Sequence, residues 1–370
     1  MSSPSLHRRQ LLQIGAGGGA VVGGIAALQH FLPAAAQTPV STPESMPMDH
    51  SMMSDSEMEG HSSSLTVGEI DTSAMAISPE EFIQTFDYGT ATVQADGTVL
   101  REWNILAIDR EIEIAPGVFF PAWTYNGQVP GPTLRCNEGD LLRIHFTNGG
   151  SHPHTLHFHG IHSAYHDGVT GIGRGDILVG EEFTYEFTAK PYGLHLYHCH
   201  STPLKRHIHK GLYGTFIINP DPVRHGDAAR HRHPDYVESA IWQEYVMMMN
   251  AFDTTFDSEN EVYAINSVAF HFMKHPIVID KTRPVRIYLV NVTEFDPINS
   301  FHLHANFFNY FDTGTTLEPT LRNVDIIAQV QGQRGILEID FSDHENGLYM
   351  FHAHVSEFAE LGWMSAFDVR

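Results

Sequence analysis

Cysteine is scarce: 370 residues hold only Cys136 and Cys199. Two thiols make at most one disulfide, which excludes a disulfide scaffold. Positive charge is also scarce, with 21 Lys and Arg against 44 Asp and Glu, a net charge of −23 with neutral histidine. That argues against nucleic acid or anionic lipid as the main partner, because both need a basic face. Beyond residue 36 no apolar run approaches the roughly 18 residues of a membrane span, so no span is expected in the mature form. Helical periodicity is rare as well, and Ala240–Asn250 is the main ambiguous stretch. What abounds is histidine, at 26 residues.

The start of the chain reads as an export signal over residues 1–36. Arg8-Arg9 precedes a weakly apolar, glycine-rich run from Ile14 to Leu32, and Ala34-Ala35-Ala36 follows. This is a twin-arginine-like pattern, although Leu11 stands where Phe is common, and it predicts a periplasmic or secreted protein. Residues 37–80 are rich in Ser, Pro, Met and acid, with Met46, Met48, His50, Met52, Met53, Met58 and His61 among them. Such a stretch cannot bury enough apolar surface to fold and is expected to be a flexible arm. It is either a solvated linker or a place where soft thioether and imidazole groups capture copper.

From Glu81 onward the pattern is that of an all-β protein. Short β-branched and aromatic runs such as Leu141–Phe146, Phe183–Phe187, Tyr213–Ile218, Pro284–Val292, Ile336–Phe341 and Trp363–Val369 alternate with turn residues. These predict antiparallel sandwiches or barrels. The charged segment 221–235 (DPVRHGDAARHRHPD) reads as a linker between domains at 81–220 and 236–370, with His231-Arg232-His233 solvated. The two halves repeat one another. RIHFTN, HTLHFHG, GLHLYHCH and LYGTFII in the first answer to RIYLVN, NSFHLHAN, GLYMFHAH and WMSAFDV in the second.

Seven His-X-His triplets occur, whereas random placement at this frequency predicts about two. Four lie in strand-like text at repeat-equivalent places: His157-Phe158-His159, His198-Cys199-His200, His302-Leu303-His304 and His352-Ala353-His354. Residues i and i+2 of a strand share a face, so each triplet aims two imidazoles one way and its middle residue the other. Eight imidazoles exceed one structural zinc site. Cys199 therefore points away from its neighbours, into its own domain. A thiolate with two imidazoles is the trigonal blue-copper set. His154 and His207 fit that role by spacing, with His152 and His209 as competitors, and Leu212 stands where a weak axial ligand is expected. An apolar residue there predicts three-coordinate copper of raised potential. Cys136 reads as a free buried thiol or as the disulfide partner of Cys199, and Met247-Met248-Met249 as core.

These motifs, together with PGPTLRCNEGD at 130–140 and DGV at 167–169, resemble the multicopper oxidases, a family that includes laccases and is related to ceruloplasmin and the copper nitrite reductases. The resemblance covers 81–370 and implies two cupredoxin-like Greek-key β-sandwich domains. It implies four coppers per protomer: type 1 on His154, Cys199 and His207 with Leu212 axial, type 2 on His157 and His302, and a type 3 pair on His159, His198, His200, His304, His352 and His354. Asn299 and Ala353 replace the type 1 residues of the second half, so one blue copper is expected, in domain 1. Two-domain relatives of this layout resemble homotrimers whose clusters lie between adjacent chains. The implied reaction is one-electron oxidation of a reductant coupled to four-electron reduction of O2 to water. Asp167 is the implied proton relay near the cluster, unless it serves only the Asp167-Gly168 turn, and Glu357 is a second candidate. The alternatives are a copper nitrite reductase and a non-catalytic copper-binding or delivery protein. Phenols, Cu(I), Fe(II), Mn(II) and an electron-donor protein all remain open as reductants, and the acidic charge and Met-rich arm lean towards a metal cation.

Overall fold

The computed structural model describes residues 67–370; the signal and most of the expected arm lie outside the described residues. The first half contributes β1 (Thr90–Val93), β2 (Val99–Ala115), β3 (Val118–Tyr125), β4 (Gly131–Asn137), β5 (Leu141–Asn148), β6 (His157–Phe158), β7 (Glu182–Thr188), β8 (Gly193–His198) and β9 (Tyr213–Asn219). They form two facing sheets, β1-β2-β5-β7 with β3 on β2, and β4-β9-β8-β6. The second half contributes β10 (Gln243–Phe252), β11 (Val262–Ile265), β12 (Ile277–Ile279), β13 (Val285–Asn291), β14 (Ile298–Leu303), β15 (Phe308–Asp312), β16 (Leu321–Val324), β17 (Ile326–Val330), β18 (Arg334–Ile339), β19 (Gly347–His352) and β20 (Met364–Val369). Its sheets run β11-β10-β13-β18-β15-β16 and β12-β20-β19-β14-β17. Among the described residues no sheet mixes strands from the two sides of 221–235, so each half is a sandwich with its own interior.

The sheets are not purely antiparallel as expected. β2 with β5, β4 with β9, β10 with β13 and β12 with β20 pair in parallel. Alternation of apolar residues reports a strand's buried face and says nothing of its neighbour's direction. The ambiguous stretch before residue 250 is strand β10. Met247 and Met249 enter the core of the second half, while Met248 faces Leu194, Leu196 and Ile217 of the first.

Two expectations are corrected. The arm does not stay free up to residue 80. Ser78 caps the helical turn Pro79–Phe82, His271 Nε2 lies 2.7 Å from Glu80 Oε1, and Lys274 Nζ donates to the Gly68 carbonyl at 2.6 Å. Nor is the linker histidine triplet wholly solvated: Arg232 and His233 are buried. Arg232 lies over the Phe311 ring at 4.1 Å and donates to the Thr316 carbonyl at 2.8 Å. Its long stem and aromatic partner are what local charge counting omits.

The halves are joined by a buried ion network as well as by apolar contact. Arg135, fully buried on β4, donates to both carboxylate oxygens of Glu244 on β10 at 2.7 and 3.2 Å and to Asn219 Oδ1 at 2.9 Å. Glu244 also accepts from Tyr288 Oη at 2.6 Å and Arg286 Nη1 at 3.2 Å, and Arg286 pairs with Glu338 at 2.9 Å. Burial pushes the Glu244 carboxyl up, but Arg135 and Arg286 outweigh it and hold it at about 2, below its usual 4.5. Breaking such a network strands a buried charge, so Arg135→Met is expected to cost about 3–5 kcal/mol in chemical denaturation. A depressed folded-state value means the stabilisation is complete above pH 4.5 and is lost as pH falls towards 2. Glu244→Gln should flatten the denaturation midpoint across that window.

Candidate metal centre

The four histidine triplets sit at matched places in the two sandwiches. β6 pairs with β8 so that His157 faces His198, and β14 pairs with β19 so that His302 faces His352. Alternation continued one residue past β8 sends Tyr197 and Cys199 into the first core, and continued one residue past β19 it sends Phe351 and Ala353 into the second. The flanking histidines are left on the opposite face in both.

Hydrogen bonds repeat with the strands. His157 donates Nδ1–H to the Asp167 carbonyl at 2.7 Å, and His302 donates to the Asp325 carbonyl at 2.8 Å. His198 donates Nδ1–H to the Cys199 carbonyl at 3.0 Å, and His352 to the Ala353 carbonyl at 2.6 Å. These bonds fix the tautomer and leave Nε2 as a bare lone pair. The lone pair of His198 faces His159 Nε2 at 3.2 Å, and that of His352 faces His304 Nε2 at 2.9 Å. The His200 N–H donates to Thr155 Oγ1 at 2.9 Å, and the His354 N–H to Ser300 Oγ at 2.8 Å. Burial drives the His198 ring down to about 3 and the His159 ring to about 2, so both are neutral donors for a cation at ordinary pH. His157, His159 and His198 offer nitrogens within 4.8 Å of one another, and so do His302, His304 and His352.

The second feature is a mononuclear candidate, three side chains that could hold one ion. Cys199 Sγ, fully buried, lies 3.1 Å from His207 Nδ1 and 3.9 Å from His154 Nδ1, and the two nitrogens are 3.2 Å apart. Three ligands each about 2.1 Å from one metal in a trigonal plane stand about 3.6 Å apart, so these atoms fit copper in an N2S set. Burial raises the Cys199 thiol, against backbone N–H bonds from Ser201 and Thr155, the latter donating at 3.3 Å. Burial takes His154 down to about 3 and His207 to about 4. Leu212 is wholly buried in the same apolar cluster, and its carbonyl accepts the Cys199 N–H at 2.9 Å.

The competitors are placed elsewhere. His152 packs on Trp123 at 4.5 Å and bonds Ser151, while His209 Nε2 accepts the Asp253 N–H at 3.0 Å. Cys136 is a free buried thiol 3.7 Å from the Ile217 carbonyl, and no disulfide joins it to Cys199. In the second half Asn299 is fully buried and donates to Thr293 Oγ1 at 3.0 Å, and Ala353 brings no sulfur.

Asp167 lies beside the first set, its Oδ1 3.3 Å from His157 Nδ1 and 3.7 Å from His162 Nε2. The turn it begins is also structural. Gly168 has φ +68°, and a Cβ there would stand 2.1 Å from the Leu156 carbonyl oxygen, so only glycine fits. Glu357 is exposed on the turn Ser356–Glu360 and makes no side-chain hydrogen bond among the described residues. Asp325, not Glu357, occupies in the second half the place of Asp167 in the first. It follows His302 by more than twenty residues because the β15–β16 hairpin intervenes, so repeat spacing misses it. Trp123 was also unsuspected: its ring packs on His154 at 5.2 Å and on His207 at 4.9 Å.

Comparisons with known proteins agree with this chemistry. Family models described as multicopper oxidase match residues 109–223 and 243–370. A solved structure titled crystal structure of multicopper oxidase is 51% identical, with a TM-score of 0.75, covering 82% of this chain and all of that one. A copper-containing nitrite reductase of Neisseria meningitidis is 33% identical over 119 residues, 30% of this chain and 29% of its own length. A laccase of Aspergillus fumigatus is 41% identical over 102 residues, 27% of this chain and 17% of its own length. The matches thus span under a third of these curated relatives.

If Cys199 is the sulfur ligand, Cys199→Ser in Cu(II)-reconstituted protein should abolish thiolate-to-copper charge-transfer absorption, while Cys136→Ser should retain it. Visible absorption spectroscopy checks both.

Proposed function

This chain belongs to the multicopper oxidase family and is a copper-dependent oxidoreductase with cupredoxin-like domains; from that premise we propose that it oxidises a reductant one electron at a time and reduces O2 to water in a laccase-like reaction. The observation that carries the reading is Cys199. Its sulfur belongs to the mononuclear set, its backbone is continuous with His198 and His200, and its carbonyl accepts the His198 Nδ1–H. One residue joins two ligand sets that face opposite ways.

In this reading His154, Cys199 and His207 would hold a type 1 copper, with the Leu212 side chain beside it bringing no further ligand atom. His157 and His302 would hold type 2, and His159, His198, His200, His304, His352 and His354 would hold the type 3 pair. Bound copper supplies the one-electron chemistry at the first site and the four-electron reduction of O2 at the second. The protein supplies the rest. Carbonyl acceptors at Asp167, Cys199, Asp325 and Ala353 orient the rings, and Thr155 steadies the sulfur. O2 reduction consumes four protons for two waters, and Asp167, beside His157 and His162, is placed to orient water and relay them.

In each half three imidazoles converge within ligand reach, and the fourth, His200 or His354, packs on His157 or His302. A ring of three chains, the first half of one facing the second half of the next, would complete each cluster through heterologous contacts that close. Arg8-Arg9 and the run after it support export to the periplasm or beyond. An electron-donor protein and a free small molecule are both compatible as reductant.

The nitrite reductase relatives make nitrite the competing acceptor. Copper-loaded protein should contain four coppers per chain and consume O2 with an artificial donor, without nitrite consumption. One or two coppers, or nitrite turnover without O2 uptake, would overturn the proposal, and copper binding without turnover would indicate delivery or storage. Asp167→Asn should slow O2 uptake about tenfold to a hundredfold while retaining the thiolate-to-copper band; unchanged turnover across pH would remove Asp167 from the relay.

A further inference from the structure

Beside the mononuclear set the acidity of the chain is locally reversed. The helix Leu204–His209, which carries His207, brings Lys205 and Arg206 close to Lys210. Among the described residues none of the three forms an ion pair. Each lies over an aromatic face instead. Lys205 Nζ is 4.1 Å from the Phe295 centroid, Arg206 is 5.3 Å from Trp123, and Lys210 Nζ is 4.9 Å from Phe120 and 5.0 Å from Phe256. These cations, Phe256 and Phe295 line a cavity of about 520 Å³.

Three of the acids nearby hydrogen-bond elsewhere, although Glu294 also lies in the field of Lys205 and Asp109 in that of Lys210. Asp253 lines the cavity, but its two oxygens accept the Asp257 and Ser258 N–H groups at 3.1 and 2.8 Å. Glu261 accepts the Thr254 N–H at 2.6 Å, and Glu294 accepts the Gln331 amide. The two aromatic walls carry backbone strain: Phe256 has φ +62° and Phe295 φ +71°, a region that bulky L-residues rarely occupy. Such strain persists only where the surroundings enforce it, and it clusters at ligand sites. Arg206, on the cavity wall, lies over Trp123, which in turn packs against His207 and His154.

We infer that this cavity takes aromatic anions, an arene carrying a carboxylate or sulfonate, as reductants. The aromatic walls match a planar ring, and the unpaired cations match its charge; the same cations repel Fe(II), Mn(II) and Cu(I). The inference rests on the oxidase reading for its redox step. Each phenolic anion gives up one electron and its hydroxyl proton, and four of them reduce one O2 to two waters, leaving four phenoxyl radicals.

The test is a matched pair, ferulate and methyl ferulate, which share a phenol and differ in one carboxylate. With the copper-loaded protein at pH 6.5 and low ionic strength, kcat/KM for the acid should exceed that for the ester by about tenfold. The advantage should shrink as salt is added, and in the Lys205→Gln/Arg206→Gln variant the acid-to-ester ratio should fall to about one. Calorimetric binding of 4-methoxycinnamate and its methyl ester, which lack the oxidisable phenol, gives a readout independent of turnover: the acid should bind more tightly, and less so in the variant. Equal kcat/KM for acid and ester, or a preference that survives the variant, overturns the inference. Selective binding of the acid without O2 uptake supports the anion site and instead overturns the oxidase reading.

Discussion

Because side chains alternate across a β-strand, a residue between two histidines must leave the face they occupy. At 198–200 that rule does more than place ligands. It puts Cys199 inside an apolar core beside Leu212, where a sulfur ligand is shielded from water, and leaves His198 and His200 on the side where a second ligand set assembles. Two environments are then tied together by one peptide unit. Burial keeps the surrounding imidazoles neutral, which is the protonation state a metal requires.

The second half shows the same rule with the sulfur chemistry removed. Ala353 enters its core where Cys199 enters the first, and Asn299, bonded to Thr293, fills the place of an imidazole. Yet the carbonyl acceptors, the facing Nε2 pair and the hydroxyl beneath the last histidine are all kept. In the proposed reading a shared cluster would need an oriented set from both halves, while the three groups around Cys199 come from one half alone.

The histidine pairs, the inward turn of Cys199 and the β-sandwich class were legible in the sequence because each depends on spacing of two along one strand. The grouping of His154 and His207 with Cys199 was suggested by short spacings, and only the structure separates them from His152 and His209. The orienting carbonyls were not legible, since backbone acceptors carry no side-chain signature. Asp325 was hidden by the hairpin that separates it from His302. The parallel strand pairs, the burial of Arg232 and the docking of residues 67–82 all depend on partners distant in sequence. Arg135 shows the same limit: nothing within PGPTLRCNEGD marks it as buried, and it becomes a link between halves only through Glu244, more than a hundred residues on.

Net charge misleads in a similar way. A value of −23 describes the field far from the protein, where it acts on solubility and on encounter with charged solutes. Within a few ångströms of a cavity the fixed groups on its walls decide, and here the acids are turned into their own loops while three cations are not. The −23 balance suggested a metal-cation reductant because it weighs every carboxylate alike. A carboxylate already accepting two backbone N–H groups, as Asp253 does, has its lone pairs engaged and its field partly offset by those dipoles. An ammonium over an aromatic face keeps its full charge, the ring quadrupole stabilising but not neutralising it. Which groups are left free, more than how many of each sign the chain contains, determines what the cavity attracts.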